Sequence, residues 1–134
     1  MEIREYKKED IKELLNLFNK CFNYDYKVIN MEPTGMIYVV VIDNKIVGMA
    51  TIDILNDIFK NIKYGYVNDV CIDPDYQGQG LSKKLMNKIL EYGISNDLEY
   101  IMLTSNKKRI AAHELYKSMG YEIVDTCVFK KYMK

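Results

Sequence analysis

The stretch from Tyr64 to Thr104 limits the fold more than any other part of the chain. A β-branched and aromatic run, Tyr64–Ile72, leads into a turn carrying Pro74, Gly78 and Gly80. Leu81, Leu85, Met86, Ile89, Leu90 and Ile94 then recur at helical spacing, and Tyr100–Thr104 is a short apolar run. Strand, turn, helix over about residues 80–96 and strand, in that order, predict a right-handed parallel crossover with the helix covering one face of a sheet.

The remaining segments supply more sheet. Residues 1–6 alternate around Ile3 and read as a strand. Ile11, Leu14, Leu15, Phe18, Cys21 and Phe22 predict an amphipathic helix over about residues 9–22, with Glu9 and Asp10 suited to its N-terminal dipole. Residues 23–35 read as irregular, with a short helix near 25–32 as an option. Met36–Ile42 and Lys45–Ile54 flank Asp43-Asn44, which predicts a β-hairpin, and residues 56–63 read as a polar loop. Ala112, Leu115, Tyr116 and Met119 share a helix face that Gly120 closes. Tyr121–Val124 and Cys127–Tyr132 are expected to be two closing strands. The fold class is therefore α/β: a mixed, mostly antiparallel sheet flanked by helices on both faces. With 134 residues and no repeat or linker, one domain spanning 1–134 is expected.

Composition removes several function classes. Nineteen basic and nineteen acidic residues give a net charge of zero, and no long basic run exists, so no nucleic-acid partner is expected. The apolar run Met36–Ile42 is too short to span a bilayer, so no membrane partner is expected either. The first residues lack a basic-then-apolar leader. Cys21, Cys71 and Cys127 are widely separated without metal-ligand spacing. No metal is expected, and thiols in such a chain point to a cytoplasmic location.

The turn carries the chemistry. Backbone N–H groups at a helix start have no intrahelical partners and lie at the positive end of its dipole. Glycines let an anion reach them. A phosphate or pyrophosphate is the ligand such a turn suits, while a turn with glycines for geometry alone remains open. Gly80-Leu81-Ser82 lacks the Lys-Ser/Thr pair of a P-loop, and Lys83 stands where a Rossmann turn has its third glycine.

Gln77-Gly78-Gln79-Gly80-Leu81-Ser82 resembles the Gln/Arg-x-x-Gly-x-Gly/Ala signature of the GNAT N-acetyltransferases. Asn68–Pro74 looks like that family's fourth strand and turn. Arg109–Tyr121, with Ala112, Leu115, Tyr116, Gly120 and Tyr121, resembles its Ala-x-x-(Leu/Phe)-Tyr-x-x-x-Gly-(Phe/Tyr) segment. The resemblance covers essentially the whole chain. It implies acetyl transfer from acetyl-CoA to a primary amine by direct attack, on a small-molecule or peptide acceptor, and allows a homodimer. Gln77, Gly78, Gln79, Gly80, Leu81 and Ser82 would hold the pyrophosphate. Pantetheine would add like a strand beside Val70, Cys71 and Ile72, with the Val70 N–H meeting the oxyanion. Tyr116 would protonate the leaving thiolate.

The chain departs from the family pattern in places. Ser82 replaces the final small Gly or Ala, and Arg109 stands where many relatives have Asn, so Arg109 would reach a phosphate and Asn106 supply an amide. Tyr66 and Asn68 stand where relatives often have Glu, which leaves Asp69 as the carboxylate to deprotonate the amine, beside a structural role for Asp69 or a water chain. The missing Glu also keeps open a non-catalytic acyl-CoA-binding or regulatory module. His113 is offset from the helix's buried stripe and reads as structural or surface, and Cys71 reads as a half-buried strand residue, with no His or Asp placed nearby in sequence to activate it. Tyr24, Asp25, Tyr26, Asp53, Asn56 and Asp57 are candidate acceptor contacts.

Overall fold

Asp43 and Asn44 both adopt positive φ, 49° and 62°, as a two-residue hairpin turn requires. They join β2 (Met36–Ile42) to β3 (Lys45–Asp57) in a computed structural model that describes residues 1–134. β1 (Glu2–Glu5) pairs antiparallel with β2, and β3 pairs antiparallel with β4 (Ile62–Ile72). β5 (Ile101–Leu103) runs parallel to β4, giving the order β1-β2-β3-β4-β5. Half of the expected polar loop at 56–63 is ladder: Asn56 and Asp57 pair with Lys63 and Ile62. Backbone pairing does not require apolar side chains, so hydropathy alone ends that strand too early.

The chain falls into two compact units, Met1–Thr104 and Ser105–Lys134. In the first, α1 (Ile11–Phe22) and α2 (Leu81–Ser95) lie on opposite faces of the sheet. Leu14 and Leu17 of α1 pack with Val39, Ile46, Met49 and Cys71. The next residue along β2 from Val39, Tyr38, meets Tyr92 of α2 edge to face, with ring centroids 6.2 Å apart. Leu85, Met86 and Ile89 of α2 are fully buried. Arg4 of β1 forks onto Asp10, with bonds of 2.8 and 3.0 Å, and fixes the turn into α1. Asn23 in the left-handed conformation ends α1. Residues 24–35 then form no helix. Asn19 instead grips the Tyr26 backbone through both of its amide atoms, and the Phe18, Tyr24 and Tyr26 rings pack together.

In the second unit, α3 spans Ile110–Ser118. The two closing strands expected at 121–124 and 127–132 are not formed, and this segment carries no helix or strand. Alternating residues favour a strand only where a neighbour completes the ladder. Here Ile123, Val124, Val128 and Phe129 are exposed.

Candidate active site

The site begins where the sheet opens. β4 pairs with β5 only from Gly65 to Val67, yet β4 continues to Ile72. Its last five residues therefore have no strand on that side. Tyr66 Oη and Thr104 Oγ1 lie 3.2 Å apart at the point where the two strands part.

A β-bulge decides which amides face the gap. Val67 pairs with Ile52 and Val70 with Ala50, so Asn68 and Asp69 together oppose Thr51. Before the bulge, the Gly65 N–H points toward β5 and donates to the Tyr100 carbonyl at 3.0 Å. Beyond it, the Asp69 N–H donates to Thr51 Oγ1 at 3.1 Å and the Asp73 N–H to the Val47 carbonyl at 2.7 Å, both on the β3 side. Strand alternation then turns the Val70 and Ile72 N–H groups toward the open edge. Sequence reading placed Val70 and Ile72 at this edge and missed the bulge that aims them.

The turn after β4 is held from below. Asp73 is 2% exposed and accepts from the Asp75 N–H at 2.9 Å. Lys20 of α1 lies 2.9 Å from Asp73 and 3.0 Å from Asp75, and Lys45 sits 3.7 Å from Asp73. Burial alone would raise the Asp73 carboxyl. The Asp75 amide and the two ammonium groups outweigh burial and hold it below the usual carboxylate range. Gln77 reaches back to the Ile72 carbonyl at 3.4 Å.

Gly78 and Gly80 take φ of 82° and 73°, and a Cβ on either would meet nothing within 4 Å. Their backbone therefore borders open space. Gly80 is the N-cap of α2 and brings no side-chain cap, and no acidic residue occupies the first turn. The first N–H groups of α2 thus follow Gly78, Gln79 and Gly80 as an uncapped helix start, an arrangement able to hold an anion. The Leu81 side chain is buried, and Ser82 is half-buried.

On the other side of the bulge lies a cavity of about 400 Å³, lined in part by Glu32, Thr34, Gly35, Asp53, Asn68 and Asp69. Burial pushes the Asp69 carboxyl above its ordinary value. Asp53, a candidate acceptor contact, lines this cavity. Asn56 and Asp57 instead line a separate hollow of about 430 Å³ with Asp97 and Glu99, at the far end of the β3–β4 hairpin. Glu32 and Thr34 are cavity residues that no spacing rule marks in the sequence, because they lie in an irregular segment.

Cys71 faces α1 rather than the gap and is buried. Its hydrogen bond with Cys21, more than the nearby charges, lowers the Cys21 thiol.

In the second unit, Asn106 Oδ1 accepts from the Lys108 N–H at 2.9 Å and its carbonyl from the Arg109 N–H at 3.0 Å. Asn106 thus shapes the turn into α3, and Arg109 is that helix's N-cap. Tyr116 is 8% exposed; burial raises its phenol, against a smaller opposing pull from Arg109. His113 Nε2 lies 3.2 Å from Ser105 Oγ, a local contact in keeping with a structural residue.

Comparison with known proteins bears on this arrangement. A sequence profile described as the acetyltransferase (GNAT) family matches residues 3–121. The N-acetylaspartate synthetase of Xenopus tropicalis is 30% identical over 93 residues, 69% of this chain and 33% of that protein. The chain thus spans about a third of the length of such synthetases. An uncharacterized N-acetyltransferase of Archaeoglobus fulgidus is 25% identical over 88% of this chain and 90% of its own length. Among solved structures, an aminoglycoside acetyltransferase from an uncultured soil sample, in complex with trehalose, superposes with a TM-score of 0.85. It is 21% identical over 99% of this chain and 95% of that one. A putative acetyltransferase from Agrobacterium tumefaciens gives a TM-score of 0.87 at 19% identity, over 98% of this chain and all of that one.

Proposed function

Because the chain belongs to the GNAT family of acetyltransferases, we propose that it is an acyltransferase enzyme that moves the acetyl group of acetyl-CoA to a cationic primary amine by direct attack. The observation that carries this reading is the open edge of β4 running into the uncapped start of α2. An extended pantetheine arm fits the edge, and a pyrophosphate fits the amides of Gln77–Ser82. The Val70 N–H would stabilise the oxyanion as the amine attacks the thioester carbonyl.

Asp69 would take the ammonium proton before attack. It supplies the carboxylate that Tyr66 and Asn68 do not, which favours catalysis over a mere acyl-CoA-binding module. Tyr116 would give its proton to the departing thiolate, and its raised pKa suits a group that must stay protonated until then. Arg109 and Asn106 would serve the cofactor's phosphates and arm. The reaction balances: the amine loses a proton and gains the acetyl group, and the coenzyme leaves as free thiol.

The acceptor class follows from charge. The cavity beside Asp69 has Glu32 in its lining and no basic side chain. It would attract an ammonium group and repel a dicarboxylic amino acid, unlike the acceptor suggested by the synthetase relatives' name. A thiol-release screen with acetyl-CoA tests this, using spermidine, lysine amide and sisomicin against aspartate. Thiol release with a cationic amine and none with aspartate is the expected pattern. The reverse overturns the acceptor class, and no heat on titrating acetyl-CoA in a calorimeter overturns the whole assignment.

A further inference from the structure

We propose that Asp53 is a positioning residue that sets the width of the acceptor cavity, and that it does so as a hydrogen-bond bracket rather than as a charge offered to the amine. This rests on reading the cavity beside Asp69 as the acceptor site. Two walls of the cavity meet at one carboxylate: the irregular segment at 31–35, and Asn68 in the bulge. Asp53, on β3 between them, holds both. Thr34 Oγ1 donates to Asp53 Oδ1 at 2.5 Å, and Asn68 Nδ2 donates to Asp53 Oδ2 at 2.7 Å.

The neighbouring glycine makes the fit close. A Cβ at Gly35 would press on the Ile52 carbonyl oxygen and lie 2.6 Å from Asp53 Oδ1. The 31–35 segment therefore lies directly on the β3 backbone at the bracket. Asn68 immediately precedes Asp69, so its anchoring limits how far the base can move relative to the wall that carries Thr34. Each Asp53 oxygen accepts a bond from a neutral donor, which satisfies the carboxylate inside the protein.

An amide can replace such a bracket, but it cannot replace a charge. In Asp53→Asn, Oδ1 still accepts from Thr34. The new Nδ2 donates to Asn68 once that amide flips to present its oxygen. In Asp53→Ala both bonds are lost. The test uses steady-state kinetics with whichever of spermidine, lysine amide or sisomicin the wild-type protein acetylates, together with hydrogen exchange of residues 31–36 followed by mass spectrometry.

Asp53→Ala is expected to raise KM for the amine roughly tenfold to a hundredfold. KM for acetyl-CoA should stay within about twofold, and exchange at 31–36 should accelerate by a similar factor to the amine KM. Asp53→Asn should stay near wild type in both readouts. If Asp53→Asn is as damaging as Asp53→Ala in KM while exchange stays slow, Asp53 contacts the ammonium directly and the bracket is wrong. Unchanged exchange and unchanged KM in Asp53→Ala overturn it equally. If the wild-type protein acetylates none of the three amines, the proposed acceptor class fails instead, and the exchange comparison alone decides the bracket.

Discussion

At the scale of single residues, chemistry separates Asp69 from the other carboxylates. Burial holds its pKa above the ordinary value of about 3.9. A base must be unprotonated to act, so kcat/KM is expected to rise with pH through that raised pKa on the acid side. Asp69→Asn should abolish that limb and lower kcat by roughly 10²–10⁴; pH-rate profiles of the two proteins check it. Tyr116→Phe removes a proton donor but keeps the ring against its T-shaped neighbour Tyr121. Turnover should fall roughly a hundredfold while acetyl-CoA affinity stays near wild type, measured by stopped assays beside calorimetry. Unchanged turnover would release Tyr116 from its role. Asp69 was visible in the sequence as the carboxylate of its strand. The bracket of Thr34, Asp53 and Asn68 was not, because its members lie 15 and 19 positions apart and meet only through the sheet.

At the scale of elements, the β4–α2 turn is the place to separate backbone from ligand effects. Gly80 needs positive φ, which Asn tolerates far better than Ala. Its missing Cβ faces open space. Gly80→Asn should therefore fold with a Tm close to wild type yet bind acetyl-CoA at least about tenfold more weakly, because the new side chain occupies the ligand's approach. Normal affinity in a folded Gly80→Asn protein would move the pyrophosphate elsewhere. Elements with strong local signals were read correctly: the Asp43-Asn44 hairpin, α1, and the crossover helix with its apolar stripe. Those that need a partner were not. The strands expected at 121–124 and 127–132 have the alternation but no ladder, and the ladder at Asn56 and Asp57 has no alternation. The bulge at Thr51 left no mark either, since two residues opposite one is a property of a pair of strands.

At the scale of the whole molecule, two buried carboxylates tie acid stability to architecture. The Arg4 hydrogen bonds hold Asp10 below its ordinary pKa against the opposing effect of burial, and Asp73 is held low by the Asp75 amide, Lys20 and Lys45. Both groups are depressed on folding. Their stabilisation is complete above the unfolded-state pKa of about 3.9 and is lost as pH falls through the folded values. Asp69, raised by burial, has the opposite sign: its contribution is complete below the unfolded pKa and fades as pH rises through the folded one. Urea denaturation between pH 2 and 6 should show a steep loss below about pH 4, and that slope should flatten in Asp73→Asn. An equally steep slope in that variant would assign acid sensitivity to other groups.

The irregularity opposite Thr51 makes the length of β4 matter as much as its composition. It leaves one stretch stitched to β5 and a second whose outward donors, Val70 and Ile72, are offset by one residue from the alternation that Gly65 begins. Remove one residue there and the ladder becomes regular with Val70 still opposite Ala50, so the amides of Val70 and Ile72 keep their outward aim; what disappears is the bend and extra twist that a bulge gives its strand. A chain shortened by that single step would keep its strand order and run straighter along the edge where β4 leaves β5.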